Sequence, residues 1–188
     1  MSSGSFHLPP GHPDAPKESS VHIVAAELLD SVPVSAALHY WKSLKGVRRF
    51  PAREELTPRR MAPFLRNIVL LRIIDDGADY EYRIVGDAHV QAQGLNFQGM
   101  RLSEVEAIAP EPGKLSRATY GHVRVTREPF AVRGWVGRDV PASKYCYYET
   151  AFLPLGKNDV MDHILVATSY APRAGVADLD KSRKMARV

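Results

Sequence analysis

Cysteine is almost missing from this chain, with Cys146 the only one in 188 residues. A single thiol excludes an internal disulfide framework and any cysteine-rich zinc site, and it suits a reducing compartment. No apolar run approaches the roughly 18 residues that a membrane-spanning helix needs, and the start, MSSGSFHLPPGHPDAPKESS, lacks the basic-then-apolar pattern of a secretory signal. These absences predict a cytoplasmic protein without a membrane partner. A strong charge of one sign is missing too. Lysine and arginine number 25 against 21 acidic residues, a formal net charge of +4. Residues 173–188 supply much of that excess through Arg173, Lys181, Arg183, Lys184 and Arg187 against Asp178 and Asp180. The body of the chain is therefore close to neutral, and no nucleic-acid face is implied.

What is present reads as one folded domain with tails. The first twenty residues are rich in Pro, Ser, Gly and His, a composition that buries too little apolar surface to offset the entropy of ordering. They are read as disordered, and His7 and His12 within them as incidental rather than metal-binding. Val34, Ala37, Leu38, Trp41 and Leu44 then recur at helical spacing, with Pro33 near the start and Gly46 past the end. After FPAREELTP, Thr57 and Pro58 read as N-cap and first residue of a short helix. The stretch RNIVLLRIIDDGADYEYRIVG is a hairpin signal: strands over about 67–74 and 80–85 flank the turn Asp75-Asp76-Gly77. The first strand is apolar on both faces, so it should be covered on both. In the second, Tyr82 and Ile84 alternate with Glu81 and Arg83, which predicts one apolar face.

The next segment, DAHVQAQG, reads as a short helix capped by Asp87 and ended by Gly94 in a left-handed conformation. Gly99 permits a further turn, and Ser103 with Glu106 has capping-box spacing. The glycine spacing lacks the lysine and hydroxyl of a phosphate loop. Leu115, Ala118, His122 and Val125 predict a helix with one buried stripe that includes His122. A lone histidine on such a stripe is more often a hydrogen-bonded core residue than a base. Three strands follow, over about 130–137, 144–155 and 162–170, the last two joined by PLGKNDV. The alternation predicts a pocket between sheet and short helices lined by Tyr82, Ile84, Phe97, Met100, Val123, Phe130, Trp135, Tyr147 and Phe152, with His122 as a further candidate.

The order of helix, hairpin, short helices, longer helix and three strands resembles the PAS fold. The segments LHYWKSLKG, FPAREELTP, YRIVGDAHVQAQGLNFQGMRLSEV and ETAFLPLGKNDVMDHIL together resemble a bacterial PAS subfamily of small proteins, over about residues 38–170. The resemblance implies an α+β fold: a five-stranded antiparallel sheet with helices packed on one face, here with an extra N-terminal helix. It places the domain at 31–172, between a disordered tail at 1–30 and a basic tail at 173–188. It also implies a sensory or regulatory module in signal transduction that binds a small molecule, a partner protein or both, without catalysis, and that associates as a homodimer. Arg53, at a family position, is expected to fix its loop by bonding nearby carbonyls or a carboxylate. Gln98 stands where the family pattern has threonine, and residues 136–143 are individual, so the ligand is not carried over. Flavin and haem are both disfavoured. DAHVQAQG has no cysteine, and His89 or His122 could serve haem only inside an apolar cavity.

Two other functions compete. Cys146 and His163 lie on neighbouring predicted strands and could form a nucleophile and base, although KYCYYET shows no activating environment. The basic KSRKMARV could touch nucleic acid, but it lacks interleaved aromatics and reads as a solvated tail.

Overall fold

The computed structural model describes residues 17–173. The tail histidines His7 and His12 and the basic segment beyond Arg173 lie outside the described residues. Within them, six strands form one antiparallel sheet: β1 (Ser20–Val24), β2 (Ile68–Ile74), β3 (Asp79–Val85), β4 (Phe130–Trp135), β5 (Tyr145–Lys157) and β6 (Val160–Pro172). Their spatial order is β1-β4-β5-β6-β2-β3. The helices are α1 (Val32–Lys45), α2 (Pro58–Met61), α3 (Asp87–Gln93), α4 (Leu102–Ile108) and α5 (Pro110–Thr126). No helix among the described residues is long and apolar enough to cross a membrane.

The five expected strands are joined by a sixth. Residues 20–24, placed within the disordered tail expected over 1–30, pair as β1 with β4 from Ser20 opposite Trp135 to Val24 opposite Ala131. The segment SVHIV is itself β-branched and apolar, and the polar residues before it hid it.

Helices cover the sheet on both faces. On one, Val34, Ala37, Leu38 and Trp41 of α1 pack against Ile68, Leu70, Leu153 and Leu165. The Trp41 indole donates to the Pro154 carbonyl at 2.8 Å. The N-terminus of α1 is held in an unexpected way. Ser31 occupies the N-cap position, but its hydroxyl makes no capping bond. Instead the buried carboxylate of Glu149 on β5 accepts the Ser31 N–H at 2.8 Å and the Tyr147 hydroxyl at 2.9 Å. An anion at a helix N-terminus satisfies orphan donors and complements the helix dipole, and α1 has no acidic residue in its own first turn.

On the opposite face α3, α4 and α5 cover Val69, Leu71, Tyr82, Phe152, Ile164 and Val166. Three local expectations change here. The capping box falls two residues earlier, with Glu104 accepting the Arg101 N–H at 2.6 Å, because Ser103 turns its hydroxyl to Asp79 and Glu106 pairs with Arg117. The first turn of α3 starts from Gly86, while the Asp87 carboxylate meets Arg66 and Gln91 instead of capping. Helix α5 buries Gly113, Tyr120 and Val123 and leaves Leu115, His122 and Val125 facing solvent. Tyr120 decides this orientation, since one buried tyrosine removes more apolar area than the smaller side chains of the competing stripe.

Candidate functional site

The surface between α3 and the sheet is built from alternate residues of three strands. In β5, Phe152, Thr150 and Tyr148 point to it. Their partners across the ladder to β6 are Val166, Thr168 and Tyr170, and across the ladder to β4 they are Phe130, Val132 and Gly134. The face divides into two parts.

Toward α5 it is a sealed aromatic cluster. Tyr82 lies 5.6 Å from Phe97 between ring centres, Tyr120 lies 5.2 Å from Tyr80, and Phe130 lies 5.9 Å from Phe152. The Tyr82 and Tyr120 hydroxyls meet at 3.4 Å. Burial pushes both above the ordinary tyrosine range, so they stay neutral.

Toward α3 the same face turns polar without acquiring charge. The Thr150 and Thr168 hydroxyls bond each other at 3.1 Å, buried. Tyr170 hydrogen-bonds His89 Nδ1 at 3.0 Å, with the two rings edge to face. Tyr145 packs on Tyr170 at 4.7 Å and on Tyr148 at 6.2 Å, and its hydroxyl accepts from Gln93 at 3.4 Å. Tyr148 can lie flat over β4 because its opposite residue is Gly134, where a Cβ would stand 2.4 Å from the ring. Desolvation raises the Tyr145, Tyr148 and Tyr170 hydroxyls and lowers His89 to about 4, against a weaker opposing pull from the Asn67 backbone. All four groups are therefore uncharged at neutral pH.

A comparison with protein families matches residues 29–162 to the PAS domain, well over half of the chain. The chain belongs to the PAS domain family. No curated protein and no solved structure matches it significantly. PAS domains are in general sensory or regulatory modules rather than enzymes.

The residues expected to line a pocket divide between both sides of this PAS sheet. Tyr82, Phe97, Met100, Val123, Phe130 and Phe152 come together on the cleft face. Ile84 packs with the α1 layer. The cause is a bulge: Leu70 pairs with Ile84 and Leu71 with Tyr82, leaving Arg83 as an extra residue that reverses the alternation. Trp135 and Tyr147 stack at 4.5 Å in a separate cluster on the α1 side. Each lies an odd number of residues from its cleft-facing neighbour on the strand, Phe130 or Phe152, so a period of two places them on opposite faces. His122 stays at the solvent edge, 4.8 Å from Phe130.

Arg53 makes no side-chain hydrogen bond or ion pair among the described residues. Its loop is tied by Glu55, which accepts the Ala52 N–H and both terminal nitrogens of Arg48, each at 2.8 Å. Cys146 and His163 cannot act as a pair. Cys146 is buried in a β5 irregularity beside Ala171, while His163 pairs with Leu155 eight residues down β6, on the order of 26 Å away along a strand. Neither the flavin nor the haem signature is assembled either: α3 carries no cysteine, His89 is buried with Nδ1 on the Tyr170 hydroxyl and no hydrogen-bond partner for Nε2 among the described residues, and His122 faces solvent.

Sequence reasoning missed His89, Tyr145, Tyr148, Thr150, Thr168 and Tyr170 as members of one surface. A signal was available in CYYET. Counting by two from Phe152 reaches Thr150 and Tyr148, not Tyr147.

Proposed function

We propose that this PAS domain is a sensory module that binds a small, uncharged, planar molecule on the surface beneath α3, between Tyr148 and Tyr170. The observation that carries the reading is the change in lining along one face. Beside a sealed aromatic core, hydroxyls, an amide and a neutral imidazole converge under a seven-residue helix. A surface of half-buried tyrosines with a few fixed polar groups suits a planar ligand that needs orientation rather than charge neutralisation. The groups that converge there are uncharged, and Lys144 stands at the rim with its ammonium on the Gln91 carbonyl of α3. Response then passes by association with another protein through α1, which Glu149 ties to the opposite face of the same sheet.

The test is native beside denaturing mass spectrometry of protein purified from its own host. A non-covalent extra mass should appear in the native spectrum, vanish on denaturation, and be lost in Thr168→Val and Tyr148→Ala protein that still folds. Absence of any retained mass, together with no thermal shift across a library of neutral aromatic compounds, would overturn the reading.

A further inference from the structure

The two edges of the sheet are treated in opposite ways. The outer edge of β3 is closed: the Tyr82 N–H donates to the Met100 carbonyl, the Gly99 N–H donates to the Tyr82 carbonyl, and Glu81 bridges to Arg101. The Arg83 bulge and the charged Glu81–Arg83 and Arg72–Glu81 pairs blunt it further. These are the devices by which sheets avoid adding a strand. At the other end β1 has none of them. Among the described residues it pairs only with β4; it contains no charged residue and no proline, and leaves Val21 and Ile23 55% and 73% exposed.

We infer that β1 is an interaction surface for a second copy of this chain, the two β1 strands pairing antiparallel about a two-fold axis at His22. Sequence symmetry selects this occupant. Pairing about His22 sets Val21 against Ile23 of the second copy, and Ile23 against its Val21, all on the cleft face. Two exposed apolar side chains in each copy thereby become buried cross-strand pairs. On the other face His22 meets its own counterpart. An isologous contact of this kind closes on itself, so an apolar edge gives a dimer rather than a fibre. The united sheet would bring the second copy's Val21 alongside Ile23, the neighbour of Val132 on the cleft face.

The experiment uses the full chain. Sedimentation velocity from low to high micromolar concentration should show a dimer, and Ile23→Lys should raise its dissociation constant by at least about tenfold by placing two charges in a desolvated edge. Far-UV dichroism should be unchanged, because Ile23 is mostly exposed in the monomer. Register is tested by crosslinking. Directly opposed residues of an antiparallel pair have Cα atoms about 4.5–5.5 Å apart, within the span of a disulfide. His22→Cys should therefore give a covalent dimer under mild oxidation. Val21→Cys should do so only when mixed with Ile23→Cys. A monomer at every concentration, a dimer indifferent to Ile23→Lys, or Val21→Cys crosslinking to itself as fast as His22→Cys would overturn the inference.

Discussion

Acidification should weaken this domain through His89, beginning above the range in which its carboxylates titrate. The ring is buried under α3 with Nδ1 on the Tyr170 hydroxyl, and desolvation lowers its pKa from 6.5 to about 4. In the unfolded chain the imidazole takes up a proton near its ordinary value; in the folded chain it does so only near 4. The unfolded state therefore binds more protons between these values, and stability falls as pH falls through that window. Above 6.5 the contribution is complete. Each pKa unit is worth about 1.4 kcal/mol, so moving from about pH 7.5 to 4.5 removes roughly 2.5 kcal/mol. That is a large fraction of a typical domain stability of about 5–15 kcal/mol. The assay is a series of urea midpoints across this range for the parent and for His89→Phe, which keeps a ring of similar bulk. The substitution lowers stability at pH 7.5 by removing the Tyr170 bond, so the slope with pH is the informative quantity. The parent should lose roughly 2.5 kcal/mol more than the variant over the interval. Parallel curves would show that His89 is not held neutral by burial, and the uncharged character assigned to the surface beneath α3 would fall with it.

Glu149→Gln should lower stability by about 1–3 kcal/mol, because a neutral amide replaces the charged acceptor of the Ser31 N–H and the Tyr147 hydroxyl and keeps only one of its two oxygens for them; urea midpoints check it, with Tyr147→Phe expected to cost less. Gly134→Ala should push the Tyr148 ring off β4 at a cost of about 1–3 kcal/mol and change the near-UV tyrosine dichroism. Adding Tyr148→Leu should recover most of that penalty, and additive losses in the double variant would mean that Gly134 is not a seat for the ring.

Much of the fold was legible in local chemistry. Pro33 and Gly46 bracket α1, Asp75-Asp76-Gly77 turns the β2–β3 hairpin, and Gly94 ends α3 at φ 73°, a conformation a Cβ resists. These signals are local because they depend on the backbone preferences of one or two residues. The α1 stripe was legible as well, since Trp41 and the aliphatic positions around it leave only one face to bury.

The cleft was a different matter. Whether Ile84 joins Tyr82 depended on an unpaired Arg83, and a bulge is decided by how β3 meets β2, not by β3's own alternation. Which stripe of α5 faces inward was settled by Tyr120 finding Tyr80, Tyr82 and Phe152, contacts far away in sequence. The polar surface under α3 unites residues near position 90 with residues near 148 and 169, so none of its spacing exists in one dimension. Sequence by itself determined where helices, strands and turns form, because short-range sterics and periodicity choose them. Only tertiary structure decided which faces meet, because burial rewards the largest area removed from water across the whole sheet, and that sum is taken over residues the chain keeps far apart.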